Sequence, residues 1–477
     1  MSRQQQRTRT IALSLFAIPA LSCAGLGQVP GAAGTSPPAA LSLPAAPPGK
    51  LALMRVANRA EPRQIDRDHE LRAASDRPAA PVEPGPQEWT RIPEGDPGKA
   101  EISFPAGAGW QGTLVIDNGG VGIWTLGVMQ VFRTYGCPEI VGLDDKGRCH
   151  VLWGYSGKWQ PATTVHDGKW LGGLAQGDVD PRVEGPEVYV GSQSGHLYQV
   201  VSYPGRIVDN RRVASLDGRE IHSLVAGELD PRSEGPEIIA FCLPGSMYRI
   251  KAGAPHKDGF EVELLAEMDG RVRQAELLPQ APGLPAEIAV VMRTGHLQIL
   301  SFGKDGAKWE PVHALPMGMG RLAIAGDAPP SRPVVYSTVD DGRVYRHERG
   351  ADRQWKSELI YAGPQGMRGI AWGHFNADRS VETVAVYGYS HRVELLSRQQ
   401  GKWSRETLFV DIDKGHWLEA GELDGRNNTH ELVCSGYSGR VVLLARPPGY
   451  GLDGVLAVDS LSPDSVAQPN TGKAPRD

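Results

Sequence analysis

Several familiar signatures are missing from this chain of 477 residues, and each absence narrows what it can be. The apolar stretch at residues 11–21 is too short to cross a bilayer, so a transmembrane anchor is not expected. No His-Glu-x-x-His pattern, Gly-x-Ser-x-Gly elbow or Gly-rich phosphate loop stands out, which leaves the common metalloprotease, hydrolase and nucleotide-binding chemistries without a carrier. Excess charge is small: 50 Lys and Arg against 55 Asp and Glu give −5, which argues against nucleic-acid binding. Cysteine is scarce, with five in the whole chain.

What is present is repetition. A short apolar strand, a turn of the form Gly-acid-aliphatic-acid, and a glutamate opening a second strand recur about every fifty residues. The marker glutamate falls at Glu139, Glu187, Glu237, Glu287, Glu382 and Glu431, with Val334 in the remaining slot. That period is one four-stranded blade, and seven copies predict an all-β fold, a seven-bladed β-propeller. Most repeats also carry a fourth-strand signature, at Lys158-Trp159, Lys308-Trp309, Gln354-Trp355 and Lys402-Trp403. The last repeat lacks it, whereas Gly109-Trp110-Gln111-Gly112 supplies it ahead of the first. An N-terminal strand is therefore expected to complete the last blade non-covalently and to remove an open sheet edge.

The chain divides into four segments on this reading. Residues 1–23 read as a signal peptide: Arg3, Arg7 and Arg9 precede the apolar stretch, and Ala20-Leu21-Ser22-Cys23 resembles the lipobox of bacterial lipoproteins. That resemblance implies acylation of Cys23, export, and attachment to the cell envelope by lipid alone, with plain secretion as the alternative. Residues 24–98 are rich in Pro, Ala and charge and read as a disordered tether, residues 99–455 as the propeller, and 456–477 as a disordered tail. Of the four cysteines after Cys23, Cys242 and Cys434 fall in repeats on opposite sides of the ring. Cys137 and Cys149 flank one hairpin whose register sets Cys149 opposite about Gly142. No disulfide is expected, and these read as buried thiols.

The repeat resembles the FG-GAP or VCBS repeat of integrin-type propellers. The segments that carry the likeness are Gly177-Asp178-Val179-Asp180 with Glu187, Gly227-Glu228-Leu229-Asp230 with Glu237, and Gly421-Glu422-Leu423-Asp424 with Glu431. In that family the turn often holds calcium through alternate carboxylates. The set here that suits calcium best is Glu422, Asp424, Asn428 and Glu431. Against it, Arg182, Arg232 and Arg426 stand at the third ligand position and His374 replaces a first ligand, so the acids could equally cap backbone N–H groups.

Two sets of loops share the other face. The connection leading into each innermost strand offers Trp124, Gly172, His222, Arg273, Arg321, Arg368 and His416. The hairpin between second and third strands offers Arg148, His196, Ser246, His296, Arg343, His391 and Arg440. A mouth ringed by cations favours an anionic ligand, and Trp170, Tyr389, Trp417 and Tyr437 could stack on sugar rings. Inherited decoration from duplication is the plainer alternative. The leading expectation is an exported, lipid-anchored binding module for an anionic polysaccharide or an acidic protein surface. The alternative is a sugar lyase or dehydratase, an activity of some propellers with similar repeats, with His222 and His416 as catalytic candidates and a transition metal as possible assistant. A third is a structural component of an envelope complex.

Overall fold

The computed structural model describes residues 102–132, 137–155, 158–203, 207–253, 259–280 and 284–451. The signal segment, Cys23, the Pro/Ala-rich stretch and the C-terminal tail from 456 lie outside them. Twenty-nine strands among the described residues form seven antiparallel sheets arranged as a seven-bladed propeller. Blades one to six span 123–166, 171–215, 221–267, 272–314, 319–362 and 367–410, and each runs in chain order from the innermost strand outwards. Blade seven takes its three inner strands from 415–445 and its fourth from Gln111–Asp117, so the expected closure is present. Ile102–Pro105 pairs with that closing strand as a fifth, which the sequence pattern did not foretell.

Val334 opens the second strand of blade five where the other six blades have the marker glutamate. Alternation along the strands puts apolar side chains on both sheet faces, and adjacent blades bury them against each other. The result is seven apolar clusters, one at each interface between blades.

The marker glutamate is a structural acceptor. Val131 and Phe132 donate their N–H groups to Glu139 Oε2 at 2.7 and 3.0 Å. Val179 donates likewise to Glu187 Oε2 at 3.1 Å, Leu229 to Glu237 Oε1 at 2.9 Å and Leu423 to Glu431 Oε2 at 2.6 Å. Blade six uses Thr383 instead, whose hydroxyl accepts from Phe375 N–H at 3.3 Å.

The four cysteines of the propeller are free thiols, three of them buried. Cys149 stands opposite Leu143, one residue from the register read in the sequence. The reason is Gly147, whose φ of 79° lets the turn hold an extra residue and shifts the pairing by one.

Candidate functional site

Every innermost strand carries a β-bulge just after it starts, and the bulge residues are the first ring read from the sequence. The register shifts fall between Ile123 and Thr125, Leu171 and Gly173, Ile221 and Ser223, Val272 and Gln274, Met319 and Leu322, Met367 and Gly369, and Gly415 and Trp417. A bulge turns one side chain out of the sheet's alternation. It re-aims Trp124, His222, Arg273, Arg368 and His416, while blade two has Gly172 and the shift of blade five spans Gly320 and Arg321. The ring is tied blade to blade. Arg273 Nη1 donates to the Met319 carbonyl at 2.8 Å, Arg321 Nη1 to the Arg273 carbonyl at 2.8 Å, and His416 Nδ1 to the Trp124 carbonyl at 2.9 Å.

The three arginines come from consecutive blades, and two of them meet at Asp340, on the hairpin of blade five. Arg273 donates to Asp340 Oδ1 at 2.5 Å and Arg368 donates to the same oxygen. Burial pushes the Asp340 carboxyl up, but the Arg273 and Arg368 guanidinium groups outweigh it and hold it well below the usual carboxylate range. Arg321 lies 4.4 Å over the Trp417 ring, joining blade five to blade seven. Aromatic side chains line the rest. Trp124 packs edge-on against His416 and Tyr437, each at 4.5 Å. Tyr389 and Tyr437 share a hydroxyl hydrogen bond of 2.9 Å, and Lys414 Nζ stands 5.4 Å above Tyr389.

The second ring is less cationic than its letters suggest, because hairpin acids pair with it. Arg148 bonds Asp144 at 2.7 Å, His196 bonds Asp167 at 2.9 Å, Arg343 bonds Asp341 at 2.7 Å and Arg440 bonds Asp117 at 3.2 Å. His296 is hydrogen-bonded to Thr294, and Ser246 is fully buried. His391 does not belong to the ring. It takes the place of the turn glycine, with φ of 66° and its N–H bonded to the Gly388 carbonyl, and Arg392 opens the third strand where the other blades place their ring residue.

The two catalytic candidates sit in different surroundings. His222 is buried, and burial followed by the charges of Arg271 and Arg321 keeps its pKa well below the ordinary imidazole value. Arg271 donates to His222 Nε2, so the lone pair is occupied and the ring proton rests on Nδ1, which has no hydrogen-bond partner. A neutral imidazole engaged in this way is poorly placed to act as a base. His416 donates through Nδ1 to the Trp124 carbonyl and packs against the Trp124 and Tyr437 rings.

Sequence reasoning missed two carboxyls further along the inner strands. Glu276 accepts a hydrogen bond from Gln274, and Glu419 accepts one from Trp417 Nε1 at 2.7 Å. Burial raises both carboxyls, and Glu419 raises Glu276 further although the two belong to blades four and seven. Their signal is positional: the other blades carry Gly127, Ala175, Val225, Ala323 and Ala371 at the matching point.

On the opposite face the acidic turns divide into two kinds. In blades two and three the loop arginine takes the place of a cation, with Arg182 on Asp180 at 2.7 Å and Arg232 on Asp230 at 2.6 Å. In blade seven Gly425, at φ of 64°, replaces the proline found at Pro181 and Pro231, and Arg426 reaches Asp424 with its backbone N–H. Ligand oxygens of Glu422, Asp424 and Glu431 lie within 4.8 Å of one another, and among the described residues this is the one such grouping of three His, Cys, Asp or Glu side chains. Burial, then Asp424 and Glu422, push the Glu431 carboxyl up to about 8. An all-oxygen donor set of this kind suits a hard cation such as calcium. Asn428 Oδ1 accepts a hydrogen bond from Arg379 at 2.9 Å. The ring histidines form no such triple among the described residues, which gives a transition metal no ready cage.

No protein-family model matches the chain, and no curated protein matches it. Among solved structures it is similar to the WD40 β-propeller domain of Doa1, with a TM-score of 0.45 and 9% identity, over 69% of this chain and 97% of that one. A likeness so distant assigns neither family nor function.

Proposed function

We propose that this chain is an exported, lipid-anchored β-propeller binding module whose channel mouth takes an anionic polysaccharide. The observation that carries the reading is the convergence of Arg273 and Arg368, on the bulges of blades four and six, on the single carboxylate of Asp340, with Arg321 of the intervening blade bound to the Arg273 carbonyl. Guanidinium groups held in place by backbone carbonyls are pre-organised for carboxylate or sulfate. The flanking Tyr389 and Tyr437, both half-buried, offer aromatic surface to sugar rings. Export and lipid attachment rest on the arginine-led apolar segment and the lipobox-like Ala20-Leu21-Ser22-Cys23. The lyase reading has less support, because the accepting nitrogen of His222 is already bound to Arg271.

Polygalacturonate binding tests the proposal. The affinity is expected to fall about tenfold between low and moderate salt, and several-fold in Arg368→Ala and Lys414→Ala. No binding, or an affinity indifferent to both salt and substitution, would refute it.

A further inference from the structure

Blades five and six enclose a cavity of about 370 Å³ on the face opposite the mouth, where the inner strands end. It opens where the repeat pattern fails. Blade five has Val334 in place of the marker glutamate. Glu382 of blade six turns away from its own backbone turn to accept from Tyr336 and from Arg346 Nε, at 2.6 Å for the latter. Blade six contributes Trp372 to the wall, at a point where the other blades carry Val128, Gln176, Ala226, Leu277, Ile324 and Ala420. Trp372 is half-buried, and His374 meets it edge-on at 5.0 Å.

The chemistry of the lining is balanced. Three guanidinium groups, Arg332, Arg346 and Arg379, face three carboxylates, Asp327, Glu348 and Glu382. Burial, opposed by Asp327 and assisted by Arg379, keeps the pKa of His374 below its ordinary value. The inner acids are already engaged: Glu348 takes Arg332 and Arg346, each at 2.8 Å. At the rim Asp327, Arg332, Arg379 and Ser380 are exposed and offer acceptors and donors in turn. An anion would meet three carboxylates here and a cation three guanidinium groups. A hydroxyl both donates and accepts, so a polyhydroxylated ligand can satisfy both kinds of group while its apolar ring face lies on an indole. The volume is at the lower end of that of small-ligand sites.

We propose that this pocket binds a neutral saccharide of one or two rings, as a second site distinct from the anionic site at the mouth. The test is calorimetric titration of the propeller with glucose, galactose, N-acetylglucosamine and cellobiose, with glucuronate as the charged comparison. At least one neutral sugar is expected to bind at millimolar concentration, with an affinity unchanged by salt. Trp372→Ala should weaken that binding at least tenfold. Arg379→Ala, at an exposed position that does not endanger folding, should weaken it several-fold. Failure of every neutral sugar to bind, binding that survives both substitutions, or a salt-sensitive preference for glucuronate would overturn the proposal. Because polygalacturonate reads the mouth and the neutral sugars read this pocket, either reading can fail without the other.

Discussion

A buried side chain that accepts two backbone N–H groups holds a turn in a way no neighbour can replace. Glu237 accepts from both Leu229 and Asp230, in a setting where it is fully buried. Glu237→Ala leaves two donors without acceptors and is expected to cost about 2–4 kcal/mol. Glu237→Gln keeps a carbonyl oxygen for the same bonds and should cost much less; urea unfolding of both variants measures the difference. The glutamates were legible as a repeat marker because the same turn recurs with each blade. What they do was not, because a carboxylate capping N–H groups and one ligating calcium write the same letters. The outcome is set by local neighbours: proline before Arg182 and Arg232 lets the arginine close on its aspartate, whereas Gly425 does not. His391 shows the same limit. Its place in the hairpin read as the ring slot, but only the backbone angle reveals that it stands in for glycine.

The period of the repeat predicts how many strands there are and which is innermost, because one hydrophobic pattern recurs every blade. The alternation of two along a strand then says which residues face a neighbouring blade. A bulge breaks that alternation, and so the mouth residues could be aligned from sequence while their side-chain partners could not. Pairing with hairpin acids such as Asp117, Asp144, Asp167 and Asp341 depends on turns whose register the letters leave open by one residue. The closing strand is the element on which the ring depends. Trp110, just ahead of it, is buried among cluster residues of blades six and seven, 5.9 Å from Phe375 and under the guanidinium of Arg446 at 4.8 Å. Trp110→Ala is expected to destabilise the fold by about 3–5 kcal/mol through the cavity it leaves. Removing residues up to 117 should be worse, exposing the strand Arg440–Ala445 as a bare edge prone to association. Thermal unfolding and light scattering separate the two effects: a lower melting temperature with a monodisperse monomer for the first, and aggregation for the second.

Across the whole molecule, shifted carboxyls fall into two populations that oppose each other with pH. Burial raises Asp144, Asp167, Asp180, Asp230 and Asp340, but their basic or hydroxyl partners outweigh it and hold all five below the ordinary aspartate value. Those groups stabilise the fold above the unfolded pKa of about 3.8, and the contribution is lost as pH falls through the lower folded values. Burial raises Glu276, Glu419 and Glu422, and lifts Glu431 to about 8. The folded chain keeps protons on these that the unfolded chain gives up above about 4.5, so stability declines as pH rises from there through the folded values. Burial also keeps His222, His313, His347, His374 and His430 below the ordinary imidazole value, a contribution that is lost as pH falls below about 6.5, so the melting temperature is expected to peak at about pH 6–7 and to fall on both sides. The alkaline decline should flatten in Glu276→Gln, which removes one of the two facing carboxyls, by about 1 kcal/mol or more at pH 8. A profile that instead rises from about pH 7 to pH 8 in the wild-type protein would mean that a cation or partner neutralises the channel acids, and the same scan with added calcium would separate the blade-seven turn from the channel.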